Sequence, residues 1–446
     1  MKLKPFKYVW ILTLALLPAT LSAQSPLQKY LDEAISNNLE LQNRDFALQK
    51  SLYALKEAKG LFLPDVNFNT QYLASGGGRK IEIPIGDLLN PVYSTLNNLT
   101  NSTRFPQVEN VSQGFNPNNF YDAKIHTTLP LYNAEIIFNT KIRTEQINIK
   151  QAELNVYKRE LIKNVKLAYY GYLQTLTAVD ILNNGIGLAK ENLRINQVMV
   201  KNGKAIRTVV NRAQNELAGL QAQHQDANAQ ALNAAAYFNF LLNKPLNSAI
   251  IVEQIHSTLS ADSGITRKRE ELLALESGEK ATMLALQLNK AAYLPKLSTF
   301  LDLGAQGDFL KVNNDSPYYL FGVTLSWQIF AGNQRKNKIQ QAAIELKSAN
   351  NQISLAEQRL QLEVETASNK LKAAIHVYEA SVSQVALSWQ YFKDEQRLYK
   401  EGQALYLELL DAQTRLINDK LKQSISYLTA QTRAAELERA KSSYNF

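Results

Sequence analysis

The sequence predicts a mixed α/β membrane protein with four membrane strands per chain, long coiled-coil helices and an internal structural repeat. Three observations carry that prediction. The order helix, two alternating strands, long helix, turn, helix occurs twice in 446 residues. The strand runs span about 9 to 13 residues, close to the ~9–11 residues of a tilted membrane strand. The long helical runs hold roughly 65 residues without proline, where an average helix has ~11–12. A repeat on this scale fixes the architecture before any single motif does.

The N-terminus supplies the address. Lys2, Lys4 and Lys7 precede an apolar run from Tyr8 to Leu21, and Ser22, Ala23 and Gln24 follow. A basic head, a short apolar stretch and small residues predict a signal peptide over 1–23. The run falls short of the ~20 residues a spanning helix needs. With no cysteine in the chain, neither a disulfide framework nor a lipid-bearing cysteine is available. The net charge of +9 falls to +6 once Lys2, Lys4 and Lys7 leave. The remaining bases alternate with acids along the helices, which opposes nucleic-acid binding.

The first repeat occupies 24–242. A helix over about 28–63 closes at Pro64, which forces the preceding residue toward extended geometry. Val66, Phe68, Thr70 and Tyr72 then alternate with Asn67, Asn69 and Gln71. After three glycines at 76–78 the polar stretch 74–119 reads as a long loop with a short element near Asp87 to Leu99. Loops of that length usually carry a function or move. Phe120 to Tyr132 is the returning strand, with His126 as polar-face filler. A helix from about Glu135 to Val200 follows, locally weakened at Gly185 and Gly187. Lys201, Asn202 and Gly203 form a turn, and an Ala-, Asn- and Gln-rich helix returns over 205–242.

Residues 243–265 read as a linker with a small edge strand at Ile250 to Val252. The second repeat, 266–441, has a helix to Leu294, then Pro295, strands at Leu297–Ala305 and Tyr318–Phe330, and a helix over 333–400. The turn at Glu401 and Gly402 leads into a last helix. There Leu410, Thr414, Ile417, Leu421, Ile425 and Leu428 step at nearly heptad spacing. Residues 442–446 are the C-terminal tail. The strand-entry prolines Pro64 and Pro295 stand about 231 positions apart, and Gly203 and Gly402 about 199. The insertion in the first strand pair accounts for the difference.

Each strand presents one apolar and one polar side, the lipid-to-lumen pattern of an outer-membrane barrel. Tyr72, Phe120, Tyr121, Phe300, Trp327 and Phe330 suit interfacial girdles. Four strands cannot close a barrel, and an open sheet edge cannot persist in lipid. Three chains supply twelve strands, whereas eight would leave an interior filled by side chains. Helices of this length reach roughly 100 Å, so the expected product is a trimeric 12-stranded barrel continuous with a helical tunnel.

The chain resembles the outer membrane efflux protein family, the TolC-like trimeric channels, over essentially the whole mature length. The resemblance rests on residues 34–39 (AISNNL), the Leu-Pro helix endings at Pro64 and Pro295, and the paired strand-to-helix passages. Residues 399–402 (YKEG), followed by 408–413 (ELLDAQ), complete it. It implies a homotrimer in the cell outer membrane, in contact with its lipid, with a tunnel extending into the periplasm. It implies a collar from residues 24–30, 243–265 and 441–446, and periplasmic tip turns at Lys201–Gly203 and Glu401–Gly402. It further implies a passive duct for efflux of small molecules or for type I secretion, docked to a periplasmic adaptor and an inner-membrane pump. Glu408 and Asp411 fall where the family lines its tunnel constriction. Six carboxylates from three chains would attract cations there.

One departure stands out. Family members often carry a basic residue after the second-copy glycine, where this chain has Gln403 and Ala404. Lys204, Arg207 and Arg212 in the first copy are the candidate tip latch, reaching Glu408 or Asp411 on a neighbouring helix. The alternative architecture is a periplasmic helical adaptor without a barrel, which would bring compact β-domains that the sequence lacks. No cofactor or metal site is expected. The histidines at 126, 224, 256 and 376 are scattered, and there is no cysteine nucleophile or phosphate loop. An enzyme is not expected.

Overall fold

A computed structural model describes residues 25–116, 118–252, 268–309, 311–444 and 446. The expected signal peptide over 1–23 and residues 253–265 of the expected linker lie outside the described residues. The element order is α1 (Pro26–Asn37), α2 (Leu39–Gly60), β1 (Asp65–Leu73), β2 (Lys80–Ile83), α3 (Ile85–Thr100), β3 (Val111–Gly114), β4 (Phe120–Tyr132), α4 (Ala134–Lys201) and α5 (Arg207–Leu241). It continues with α6 (Glu270–Ala291), β5 (Lys296–Asp308), β6 (Pro317–Ser326), α7 (Gln334–Lys400) and α8 (Tyr406–Lys441). No helix among the described residues is long and apolar enough to cross a membrane. The chain forms two compact units, one comprising Ala47–Gln151 and Ala274–Ser354, the other the remaining helical segments.

The first unit holds an antiparallel sheet of order β1-β4-β5-β6. Its register aligns Phe68, Ile125, Leu303 and Tyr319 in one row, and Asn67, His126, Asp302 and Leu320 in the next. Since side chains alternate along a strand, the apolar sets of all four strands share one face. That face is open, with Phe68 71% and Tyr319 78% exposed. On the other face Asp302 accepts from His126 and pairs with Lys124 at 3.2 Å, and the Tyr318 hydroxyl donates to Asp122 at 2.8 Å. Phe300 is a correction to the expected girdle. It sits on this polar face across from Gly322, where an added Cβ would lie 2.5 Å from its ring. β6 also ends four residues before Phe330. Its partner β5 starts at Lys296 opposite Ser326, directly after Pro295, so the β5–β6 ladder stops at Ser326. The Trp327 indole N–H instead donates to the Tyr293 carbonyl at 2.9 Å.

The stretch 74–119 is built rather than loose, another departure from the expected loop. β2 pairs with β3 in a separate two-stranded sheet, and α3 lies between them in sequence. Asn90 and Asn97, two helical turns apart, each clamp a peptide group. Asn90 exchanges hydrogen bonds with the Val108 backbone at 2.9 and 2.8 Å, and Asn97 with Phe105 at 2.8 and 3.1 Å. Gly86 is required here, because a Cβ would meet the Val108 carbonyl oxygen at 2.3 Å.

In the helical unit, the single helix expected over 28–63 is broken at Asn38, whose backbone is extended. The Asn38 side chain explains the break. Its Oδ1 accepts from the Leu41 N–H at 3.0 Å, capping α2, while its Nδ2 donates to the Leu241 carbonyl at 3.3 Å. Ile250 to Val252 form no strand, and the Ile251 N–H donates to the Tyr30 hydroxyl at 2.7 Å.

Packing is continuous along α8. One cluster joins Ala213, Phe392, Tyr399, Tyr406, Leu409, Ala412 and Leu416, and a second joins Leu182, Ile186, Ala189, Leu220, Ala227 and Ile417. The expected seam is partly out of phase, with Thr414 and Ile425 exposed and Leu409, Ala412 and Leu416 buried. α8 packs on several helices at once, so its buried stripe is broader than a two-helix seam. Gly185 serves this packing, since a Cβ would lie 2.9 Å from Ile417 of α8.

An ion-pair network ties α4, α6, α7 and α8. Buried Arg159 makes a two-pronged pair with Glu270 at 2.6 and 2.7 Å and donates to the Tyr444 carbonyl at 2.7 Å. Its guanidinium lies over the Phe446 ring at 4.8 Å. Arg269 bridges Glu271 and Glu363, each at 2.7 Å, and Arg439 reaches Glu271 at 2.6 Å. Burial works to raise the Glu271 carboxyl, but hydrogen bonds from Arg269 and Arg439 overcome it and hold the group at about 2.

Candidate functional site

The two turns predicted from glycine close in the same way. At the first, Gly203 has φ +71, its N–H donates to Val200 at 3.0 Å, and Lys204 N–H donates to Met199 at 2.8 Å. At the second, Gly402 has φ +78, its N–H donates to Tyr399 at 3.1 Å, and Gln403 N–H donates to Leu398 at 2.8 Å. Both are Schellman endings, in which a left-handed residue lets the last carbonyls of a helix find partners. Lys201, Asn202 and Glu401 are exposed beside these glycines.

Glu408 and Asp411 are exposed near the start of α8, one turn apart. Glu408 also acts locally, because its Oε2 accepts from the Leu405 N–H at 2.8 Å and covers one of the free donors at the helix start. Its charge there also suits the positive end of the helix dipole. Asp411 has no such cap to make.

Two residues not anticipated from sequence join the pair. Burial pushes the Tyr391 hydroxyl up, and Glu395, Asp411 and Glu408 push it further, with Arg415 opposing. The three carboxylates thus act in the same direction on one phenol. One Glu395 oxygen is buried without a hydrogen-bond partner. Nothing in the spacing of Glu395 marks it, because Tyr391 and Glu395 lie on α7 whereas Glu408 and Asp411 lie on α8.

The basic trio does not close on this cluster within one chain. Lys204, Arg207 and Arg212 are exposed and form no ion pair with Glu408 or Asp411 among the described residues. Deeper between the helices, Tyr399 donates to Asn196, and Asn192 to Gln413, fixing the register of α4, α7 and α8 just above the turns. Pro64 and Pro295 each stand immediately before a strand, as expected. No group of side chains able to hold a metal ion occurs among the described residues.

Residues 265–440 match the family described as outer membrane efflux protein. This segment resembles that family. That description is of proteins of efflux in the outer membrane. The fold is shared with solved outer-membrane channels. VceC from Vibrio cholerae is 14% identical with a TM-score of 0.75, covering 93% of this chain and 95% of that one. CmeC from Campylobacter jejuni is 14% identical with a TM-score of 0.74, covering 94% and 85%. MtrE from Neisseria gonorrhoeae, solved in an open state, is 17% identical with a TM-score of 0.72, covering 93% and 88%. A comparison with curated protein sequences yields no match.

Proposed function

We propose that this efflux protein is the passive outer-membrane duct of a tripartite export system, working as a homotrimer with a periplasmic adaptor and an inner-membrane pump. The observation that carries the reading is the four-stranded sheet. One face carries the apolar set of each strand and is largely exposed, the other is mostly polar and charged, and both edge strands, β1 and β6, pair on one side only. In lipid each free edge would leave a row of unsatisfied backbone groups. β1 of one copy against β6 of the next removes both edges, and three copies give twelve strands around a polar lumen. The two repeats then each contribute a strand pair, a long helix and a returning helix.

In this reading the turns at Gly203 and Gly402 form the periplasmic tip, and Glu408 and Asp411 line its constriction. Lys204, Arg207 and Arg212 would latch the tip across a subunit boundary, because they have no such acidic partner within one chain. Planar-bilayer conductance tests this, comparing wild type with Glu408→Gln/Asp411→Asn. Glutamine keeps an acceptor for the Leu405 N–H, so the double variant removes charge without removing the cap. Wild type should pass a small, cation-preferring current, and the variant should lose that preference. Unchanged selectivity would discard these two residues as the constriction. No current from folded trimer with either protein would count against a pore of this kind.

A further inference from the structure

We infer that the outward stripe of α3 is a subunit contact, receiving the β5–β6 hairpin of the neighbouring copy of this chain at the mouth of the barrel. The inference rests on the trimeric reading above. The inner side of α3 is fully engaged: Asn90 and Asn97 clamp the returning segment, and Asp87 accepts from the Asn110 side chain at 3.0 Å. The opposite side carries Leu88, Val92 and Leu99, which are 69%, 53% and 77% exposed, with Leu89 beside them. No charged residue occurs between Leu88 and Thr100. A helix fixed so firmly on one side, and so apolar on the other, presents a surface that needs a partner.

The topology says which partner. The insertion leaves β1 after Leu73, and β1 is an edge of the sheet. Leu73 pairs with Phe120, Phe120 with Asp308, and Ala305 with Pro317, so β1 ends and β6 begins at the same end of the sheet. Closing β1 on the next copy's β6 therefore brings that copy's hairpin tip beside the insertion. The tip carries Phe309 and Val312, 64% and 75% exposed. Phe309 has φ +41, a costly left-handed backbone for a bulky residue, held by its N–H donating to the Asn119 carbonyl. Strain retained to present an aromatic ring outward fits a contact surface. Within one copy the ring and the stripe do not cover each other, since both stay exposed. The anionic headgroups of outer-leaflet lipid suit the stripe less well, because the insertion's bases, Arg79, Lys80 and Arg104, all lie off α3.

The absence of cysteine makes the test direct. Full-length chains carrying Val92→Cys or Leu99→Cys are co-expressed with chains carrying Phe309→Cys or Val312→Cys, so any disulfide joins two copies. Thr70→Cys with Tyr319→Cys and Phe68→Cys with Phe321→Cys, on the two edge strands, report the barrel seam separately. Outer membranes are oxidised and run on non-reducing gels. Disulfide-linked dimers are expected from both sets, lost on reduction. Seam links without α3–hairpin links would overturn this inference and leave the trimer standing, with lipid the next occupant to test. Loss of both sets would overturn the trimer and this contact together. Val92→Asp/Leu99→Asp supplies an independent reading: it should lower the temperature at which the trimer dissociates in detergent, and an unchanged temperature would count against the contact.

Discussion

Glu271 shows how far a single side chain is committed to the folded state. Held at about 2 against an ordinary 4.5, it favours folding above pH 4.5, and that contribution disappears as pH falls toward 2. Allowing for partial exposure, the contribution is on the order of 1–2 kcal/mol. Thermal unfolding of the purified protein at pH 6 and pH 3 should show wild type well ahead of Glu271→Gln at pH 6 and the gap narrowing at pH 3. A gap independent of pH would mean that packing, not charge, sets the cost. The sheet glycines allow a second comparison. A Cβ on Gly304 would lie 2.7 Å from the Ala123 carbonyl oxygen and 2.8 Å from the Lys124 Cβ, whereas on Gly322 it would meet only the far edge of the Phe300 ring. Gly304→Ala should cost about 1–3 kcal/mol as an overpacked site, and Gly322→Ala less, because the ring can rotate away. The temperature at which the folded band disappears on gels ranks the two, and the reverse order would show that Phe300 is the more tightly held neighbour.

At the scale of elements, the paired turns should behave as equals. Gly203→Ala and Gly402→Ala each place a side chain at positive φ, at a cost of about 1–2 kcal/mol, and the near-identical bonding of the two endings predicts similar losses. Hydrogen exchange of Lys204 and Gln403, the sixth residue of each motif, reads the effect locally; protection lost at only one turn would break the equivalence. These turns were legible because glycine after a long periodic run has one common use. The strands were legible because alternation assigns a face to every residue, as the shared row of Phe68, Ile125, Leu303 and Tyr319 bears out. The break at Asn38 was not, even with Ser36 and Asn37 before it, because the deciding contact comes from Leu241, some 200 positions away. The order of the insertion is hidden for a similar reason. Its clamps are asparagine side chains bonding to backbone, which leave no mark in a hydrophobic pattern, although the short element near Asp87 to Leu99 was legible. Glu395 and Tyr391 escape a sequence reading because they lie on a different helix from the acidic pair.

At the scale of the whole molecule, the sheet's two open edges bear on inheritance. If three copies share one wall, a chain with a damaged edge does more than fail alone, since it enters assemblies with sound partners and leaves a gap in each. A cell making equal amounts of normal and edge-damaged chains would build roughly one fully normal trimer in eight by random assembly. A proline in the middle of β1 or β6, where a ladder donor would be missing, should therefore behave as a dominant lesion, poisoning export in a cell that still carries an intact copy of the gene. A defect confined to the acidic pair would leave the wall sound and should be far milder in the same mixture.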